Sequence, residues 1–253
     1  MGRFYIAAIL ANISRYYPGG FGRRARGLYG GPCFLGCRQI VTKAPPHRTI
    51  VYVDGFNFYY GAVRRTQWKW LNPVALFQNA LGPQNTLIKV KCFTARVRPT
   101  PTDPNVHVRQ GTYLRALQAH CPLVELYYGH FLRHCVAMEH ANPPPPRVDV
   151  WKNEEKGSDV NLALHLLNDA WLGSYDCAVV VSNDSDLAES LRLVKAQNHK
   201  IIGLITPGAP KRKTSLHLRK HADFVRPIRA WMLTASQLPN PIPGATIRKP
   251  ASW

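Results

Sequence analysis

The chain has 253 residues, with 33 Lys and Arg against 14 Asp and Glu, a formal charge of +19, and 45% hydrophobic residues. That apolar content is enough for one domain-sized core and too high for a chain disordered throughout. No apolar run approaches the roughly 18 to 20 residues that cross a bilayer, which excludes a membrane-spanning protein.

The charge is concentrated at the ends. Residues 1–48 hold eight basic and no acidic residues, residues 206–253 hold nine basic and one acidic residue, and the middle is close to balance. Basic flanks around a near-neutral body suit a polyanionic partner, because Lys and Arg near phosphates gain from counterion release. They equally suit a solvated basic leader. The six cysteines are scattered, several in apolar runs, so they predict buried thiols rather than a disulfide framework. Cys33 and Cys37 lack a second ligand pair at zinc spacing. With no convincing export signal and no paired cysteines, a cytoplasmic location is expected.

Residues 1–48 alternate Gly-rich stretches with arginines and read as a basic, poorly ordered leader. From Thr49 the pattern becomes short β-branched runs separated by amphipathic stretches, which predicts an α/β domain over 49–230. Strands are predicted at 50–54, 87–94, 124–128, 177–182 and 201–206. Helices are predicted near 58–65, 73–81, 106–120, 159–172 and 187–197. Leu162, Leu166 and Ala170 give the helix from Asp159 an apolar stripe fit to pack on a sheet. The proline run in 142–146 marks a loop before an extended 148–151. A short helix at 215–221 and an extended piece at 224–227 follow the last strand, and 231–253 reads as an irregular tail.

Acidic residues are scarce, so their positions are informative. Asp54 ends the first strand in Val-Asp-Gly-Phe-Asn, Asp184 and Asp186 follow the strand at 177–182, and Asp159 opens the long helix after Gly157. In open α/β sheets that carboxyl edge is the ligand crevice. Carboxylates crowded there repel one another unless protonated or neutralised, and hard oxygen donors suit Mg²⁺ or Mn²⁺. Such ions can promote attack of water on a phosphodiester. Taken singly, each Asp also fits a helix cap, Asp186 with Glu189 as a capping box among them.

At these residues the chain resembles the NYN domain family, a branch of the PIN-like, metal-dependent nucleases. Val53-Asp54-Gly55-Phe56-Asn57, Lys156-Gly157-Ser158-Asp159-Val160-Asn161 and Ser182-Asn183-Asp184-Ser185-Asp186-Leu187 match its three acidic motifs in order, over about 49–230. The resemblance implies a flavodoxin-like three-layer fold with a mostly parallel central sheet. It also implies metal ligation and catalysis by Asp54, Asp159, Asp184 and Asp186, support from Asn57 and Ser182, and endonucleolytic cleavage of RNA. Asn183 stands where the family often has glycine. Arg96, Arg98, Lys156, Lys211, Arg212 and Lys213 are candidates to hold a phosphate backbone, each equally suited to a solvated surface. Trp68, Trp70 and Tyr128 fit the core better than base stacking. The expected function is a divalent-metal-dependent ribonuclease. The rival is a non-catalytic nucleic-acid-binding or adaptor module that keeps the fold.

Overall fold

The strand His47–Asp54 (β1) is buried without interruption from Thr49 to Asp54. A β-branched strand covered on both faces belongs inside a parallel sheet, with helices packed above and below. The computed structural model, which describes residues 45–142, 144–208 and 213–253, has that arrangement. After β1 come α1 (Gly55–Phe58), a π-helical turn (Tyr59–Val63), α2 (Pro73–Ala80), β2 (Asn85–Thr94), α3 (Val106–His120) and β3 (Val124–Tyr128). The strands β4 (His130–Glu139) and β5 (Arg147–Lys156) lead to α4 (Ser158–Trp171), β6 (Cys177–Val181), a 3₁₀ turn (Ser185–Leu187) and α5 (Ala188–Asn198). The chain continues through β7 (Ile201–Thr206), α6 (Leu216–Arg219), β8 (Phe224–Pro227) and α7 (Ala230–Ala235).

Six strands form one parallel sheet in the order β3-β2-β1-β6-β7-β8. The chain winds outward from β1 to β3, then returns through β4, β5 and α4 to place β6 on the other side of β1. Because parallel crossovers are right-handed, reversing direction moves the helices to the opposite face. Val51 and Val53 accordingly pack with α2 and α7, while Ile50 and Tyr52 pack with α4, α5 and α6. The order reverses between β1 and β6, so a crevice opens beyond their carboxyl ends.

Local chemistry explains the main joints. Asn72 caps α2 by accepting from the backbone N–H groups of Val74 and Ala75, and Pro73 occupies the first turn, where its missing N–H costs nothing. The α4 stripe of Leu162, Leu166 and Ala170 is buried against the sheet, and truncating Leu166 to Ala would cost about 2–5 kcal/mol. Gly157, at φ 94°, makes the left-handed turn from β5 into α4 that a side chain would resist. Gly55 lets α1 start against β2, since a Cβ there would lie 2.7 Å from the Phe93 carbonyl oxygen.

The predicted strands and long helices are present, with three differences. The expected helix at 58–65 starts at Gly55 and becomes a π-helical turn. The stretch read as a loop and a short extended piece is an antiparallel ribbon of two ten-residue strands, β4 paired with β5, around the proline loop. Its alternation is blurred by exposed positions on both faces, so period two gave little signal. The tail read as irregular over 231–253 begins in α7, whose Met232 and Leu233 pack on the sheet, and beyond Leu238 it is irregular but packed: Ile242 is buried, and the Trp253 ring lies 6.4 Å from Trp70 and 5.8 Å from Tyr113. Trp70 is buried and Trp68 half-buried, as expected, whereas Tyr128 is exposed beneath the Arg96 guanidinium.

A buried ion pair crosses the α4 face. Lys91 on β2 donates to Asp169 Oδ2 at 2.6 Å, and the Tyr52 hydroxyl donates to the same oxygen at 2.6 Å. Each charge is tolerable there because the other is present.

Candidate active site

Asp54 is 5% exposed at the end of β1, on the α4 side of the sheet. A carboxylate so deep needs donors, and it has two. Its Oδ1 accepts from the Asn57 N–H at 2.9 Å, which caps α1, and its Oδ2 accepts from the Ser182 hydroxyl at 2.8 Å. Ser182 directly follows β6, and its Oγ also accepts from the Asp184 N–H at 3.0 Å. Asp184 in turn caps the 3₁₀ turn by accepting from the Asp186 N–H at 3.1 Å. Asp54 and Asp184 therefore both serve as caps at the sheet edge, whereas Asp159 and Asp186 lie in the first turns of their helices without capping them. The capping box read for Asp186 and Glu189 is not formed, because the cap is Asp184 and Glu189 pairs with Arg192.

Asn57 and Asn183 tie the two strand ends together. The Asn57 side-chain oxygen accepts from the Asn183 N–H at 3.2 Å. Asn183 then clamps the segment after β7, donating to the Lys213 carbonyl at 3.2 Å and accepting from the Ser215 N–H at 2.7 Å. The departure from glycine at 183 supplies a side chain that holds this loop.

Asp159 completes the group from the first turn of α4. A helix N-terminus favours a carboxylate, yet the Asp159 pKa is raised to about 6. Burial contributes most, followed by repulsion from Asp54, Asp184, Glu155 and Asp186. Desolvation and like charge together outweigh the helix dipole. Burial also raises the Asp54 pKa, opposed by its two hydrogen bonds.

Glu155 was not a sequence candidate. At the end of β5, its side chain accepts from the Ser158 hydroxyl at 2.7 Å and the Ser158 N–H at 3.2 Å, close enough to act on both Asp54 and Asp159. The acidic pair before Lys156-Gly157 is its only signal in the sequence, and an extended piece expected to end at 151 gives no reason to aim it inward.

The basic candidates are divided. Arg96, Arg98 and Lys213 are exposed, Arg96 over the Tyr128 ring at 5.0 Å. Lys156 is ion-paired to Glu154 at 3.0 Å. Lys211 and Arg212 lie outside the described residues, as does the whole of 1–44 with Cys33 and Cys37. His130 and His134 are on β4.

The all-oxygen carboxylate set fits a hard divalent cation chemically, and such a charge would relieve the repulsion on Asp159. Among the described residues no three His, Cys, Asp or Glu side chains stand ready-gathered to hold a metal ion, so the carboxylates would have to close around one. Among the same residues no helix is long and apolar enough to cross a membrane.

Comparison with known proteins bears on this edge. The chain is 34% identical over 237 residues to a protein named 6-hydroxy-3-succinoylpyridine 3-monooxygenase HspA from Pseudomonas putida (strain DSM 28022 / S16), covering 82% of this chain and 76% of that one. A crystal structure of a protein of unknown function from Vibrio parahaemolyticus RIMD 2210633 aligns with a TM-score of 0.47 at 16% identity, covering 78% of this chain and 99% of that chain. The NYN domain family model matches residues 48–229, a span that runs from β1 to beyond β8 and holds all four aspartates of the crevice, so the chain belongs to the NYN domain family, a PIN-like nuclease family.

Proposed function

We propose that the protein is a divalent-metal-dependent endoribonuclease whose acidic crevice lies between β1 and β6. The observation that carries this reading is the geometry at the ends of β1 and β6, where the Ser182 hydroxyl bridges the buried Asp54 carboxylate and the Asp184 N–H, with Asp159 close enough to feel the charge of both. Such a charge arrangement is costly without a cation and marks a functional site. Asp54, Asp159, Asp184 and Asp186 would hold Mg²⁺ or Mn²⁺, with Glu155 as a further oxygen donor. When bound, the ion supplies Lewis-acid polarisation of a phosphoryl oxygen and lowers the pKa of water.

The protein's own residues prepare this chemistry. Ser182 and the Asn57 N–H hold Asp54 in one orientation, and Asn57 with Asn183 keeps the ends of β1 and β6 in register. Arg96, Arg98 and Lys213, with Lys211 and Arg212, would neutralise the phosphates of an RNA strand, a role that carries no sequence information. Lys156 shares the single carboxylate of Glu154 with Lys152, so this trio keeps one net positive charge for a phosphate.

The test is cleavage of single-stranded and structured RNA by the purified protein with Mn²⁺ or Mg²⁺. Cleavage that is lost with chelator and with Asp54→Asn or Asp184→Asn supports the proposal. No cleavage, or cleavage that both variants retain, refutes it.

The named relative favours a second reading, in which this fold oxygenates a small pyridine compound. Its test is mass spectrometry of 6-hydroxy-3-succinoylpyridine incubated with the protein, oxygen and a reductant. Incorporation of one labelled oxygen atom from O₂ into a pyridine product, the other atom leaving as water at the expense of the reductant, without RNA cleavage, would move the assignment to that reading.

A further inference from the structure

The opposite face of the sheet holds a second concave site, which the carboxylate chemistry does not use. A pocket of about 450 Å³ lies between the π-helical turn, α3, β2 and the end of the chain. It shares the carboxyl end of β1 with the acidic crevice but opens on the side to which Val53 points, whereas Asp54 faces α4. Its deep wall is apolar and buried, formed by Val53, Leu71, Phe77, Leu114 and Leu117. Aromatic rings line the rest, namely Phe56, Phe58, Tyr59, Tyr60, Tyr113 and Trp253.

The polar groups of the interior are already committed. The Tyr113 hydroxyl donates to the Leu71 carbonyl at 2.8 Å, so it is the ring that remains for the pocket. Gln110 accepts from the Val97 N–H and donates to the Ala95 carbonyl, both at 2.9 Å. The Cys92 thiol is pushed up to about 12 by burial and stays neutral. The charged side chains in the lining are Arg64, Lys69, Arg109 and Asp103, and the Asp103 carboxylate is paired with Arg109. That leaves two cations, exposed Arg64 and half-buried Lys69, with no acidic side-chain partner among the described residues. Arg64 lies over the Tyr60 ring at 5.1 Å.

We infer that this pocket binds a small planar aromatic acid, with its ring among the aromatic side chains and its anionic group at Lys69 and Arg64. Size, shape and charge agree on this class. A cavity of about 150 Å³ is enough for benzene, so three times that volume accommodates one or two rings with substituents. Aromatic walls reward a flat ring over an aliphatic chain of equal size. A half-buried ammonium without a partner rewards an anion, and it does so more strongly than an exposed one because water screens it less. The wide π-helical turn that brings Tyr59, Tyr60 and Val63 to the wall is a backbone feature common at functional sites. The inference is independent of which reaction the carboxylate edge performs, since none of the four aspartates lines the pocket.

The test is calorimetric titration of the full-length protein with 4-hydroxybenzoate, indole-3-acetate and 2-naphthoate, and with 4-hydroxybenzamide and AMP as controls. The expected result is saturable, one-to-one binding of at least one acid with a Kd below about 1 mM. The amide should bind about tenfold more weakly than 4-hydroxybenzoate, and Lys69→Gln should weaken the acid by about the same factor. Val106→Trp, which fills the pocket from α3, should abolish binding. Thermal melts of both variants establish that they are folded, and a variant that fails this is replaced by Arg64→Gln or Val106→Phe. No saturable binding of any acid overturns the inference. So does binding unchanged by the variants, or binding of AMP alone, which would make the pocket a nucleotide subsite.

Discussion

Ser182 and Asp54 stand 128 residues apart in sequence and meet at 2.8 Å, where the Ser182 hydroxyl donates to the carboxylate that ends β1. The same hydroxyl oxygen accepts from the Asp184 N–H, so one side chain orients two of the four aspartates. Among the described residues Asn57 is the only other donor to Asp54, through its backbone.

Replacing Ser182 with Ala should therefore affect both stability and function. The buried carboxylate loses the Ser182 donor, at a cost of about 1–3 kcal/mol in urea denaturation. Loss of a residue that orients ligands should also weaken Mn²⁺ affinity by about 10–100-fold in calorimetric titration, and Ser182→Thr should recover part of it. Unchanged Mn²⁺ affinity in Ser182→Ala would remove Ser182 from the site.

The Asp159 pKa gives a pH dependence with a definite sign. Its folded value is about 6, above its ordinary 3.8, so the folded state binds more protons between about pH 4 and pH 6. Stability must then fall as pH rises through that window, and the full penalty is present above it. Asp159→Asn should be more stable than wild type at pH 7.5, by about 1–2 kcal/mol after discounting partial exposure, with the difference vanishing below about pH 4. Urea melts at the two pH values measure this. Equal stability at pH 7.5 would show that the carboxylates do not crowd Asp159.

A cation should act on the same penalty. Millimolar Mn²⁺ should raise the wild-type Tm at pH 7.5, because a ligand that binds only the folded state stabilises it. Chelator should reverse the rise, and Asp184→Asn should greatly reduce it. A rise of equal size in Asp184→Asn would place the ion elsewhere.

The Lys91–Asp169 pair concerns the core alone. Among the described residues Lys91→Ala leaves the Asp169 carboxylate with only the Tyr52 hydroxyl, and it should cost about 3–5 kcal/mol. The double variant Lys91→Met with Asp169→Leu removes both charges and should be less destabilised than Lys91→Ala. If the double variant is instead the worse of the two, the pair contributes more than mutual neutralisation.

Asn183→Gly restores the residue common in the family and removes both side-chain contacts to Lys213 and Ser215. The Ser215 N–H should then exchange with solvent faster, by about 5–10-fold for one lost hydrogen bond worth about 1 kcal/mol. Hydrogen exchange resolved to that amide checks this. An unchanged rate would show that the loop is held by other contacts.

Much of this architecture was legible in the linear pattern. A β-branched run ending in Asp-Gly reads as a buried strand with a carboxylate at its exit, and a four-residue apolar spacing reads as a helix packed on a sheet. These are local signals, since backbone period and side-chain size determine which face of an element is apolar wherever the element ends up. They placed Asp54, Asp159, Asp184 and Asp186 at the ends of the right elements. What lies across from those faces depends on how distant segments are brought together, and no local period encodes it. The contact of Ser182 with Asp54, Lys91 meeting Asp169 beneath α4, Glu155 turned toward the crevice by the β4–β5 ribbon, and Trp253 packed near Trp70 and Tyr113 all arise from tertiary packing. Each joins groups that only a folded core brings within hydrogen-bond or van der Waals range, where burial makes their partnership matter energetically.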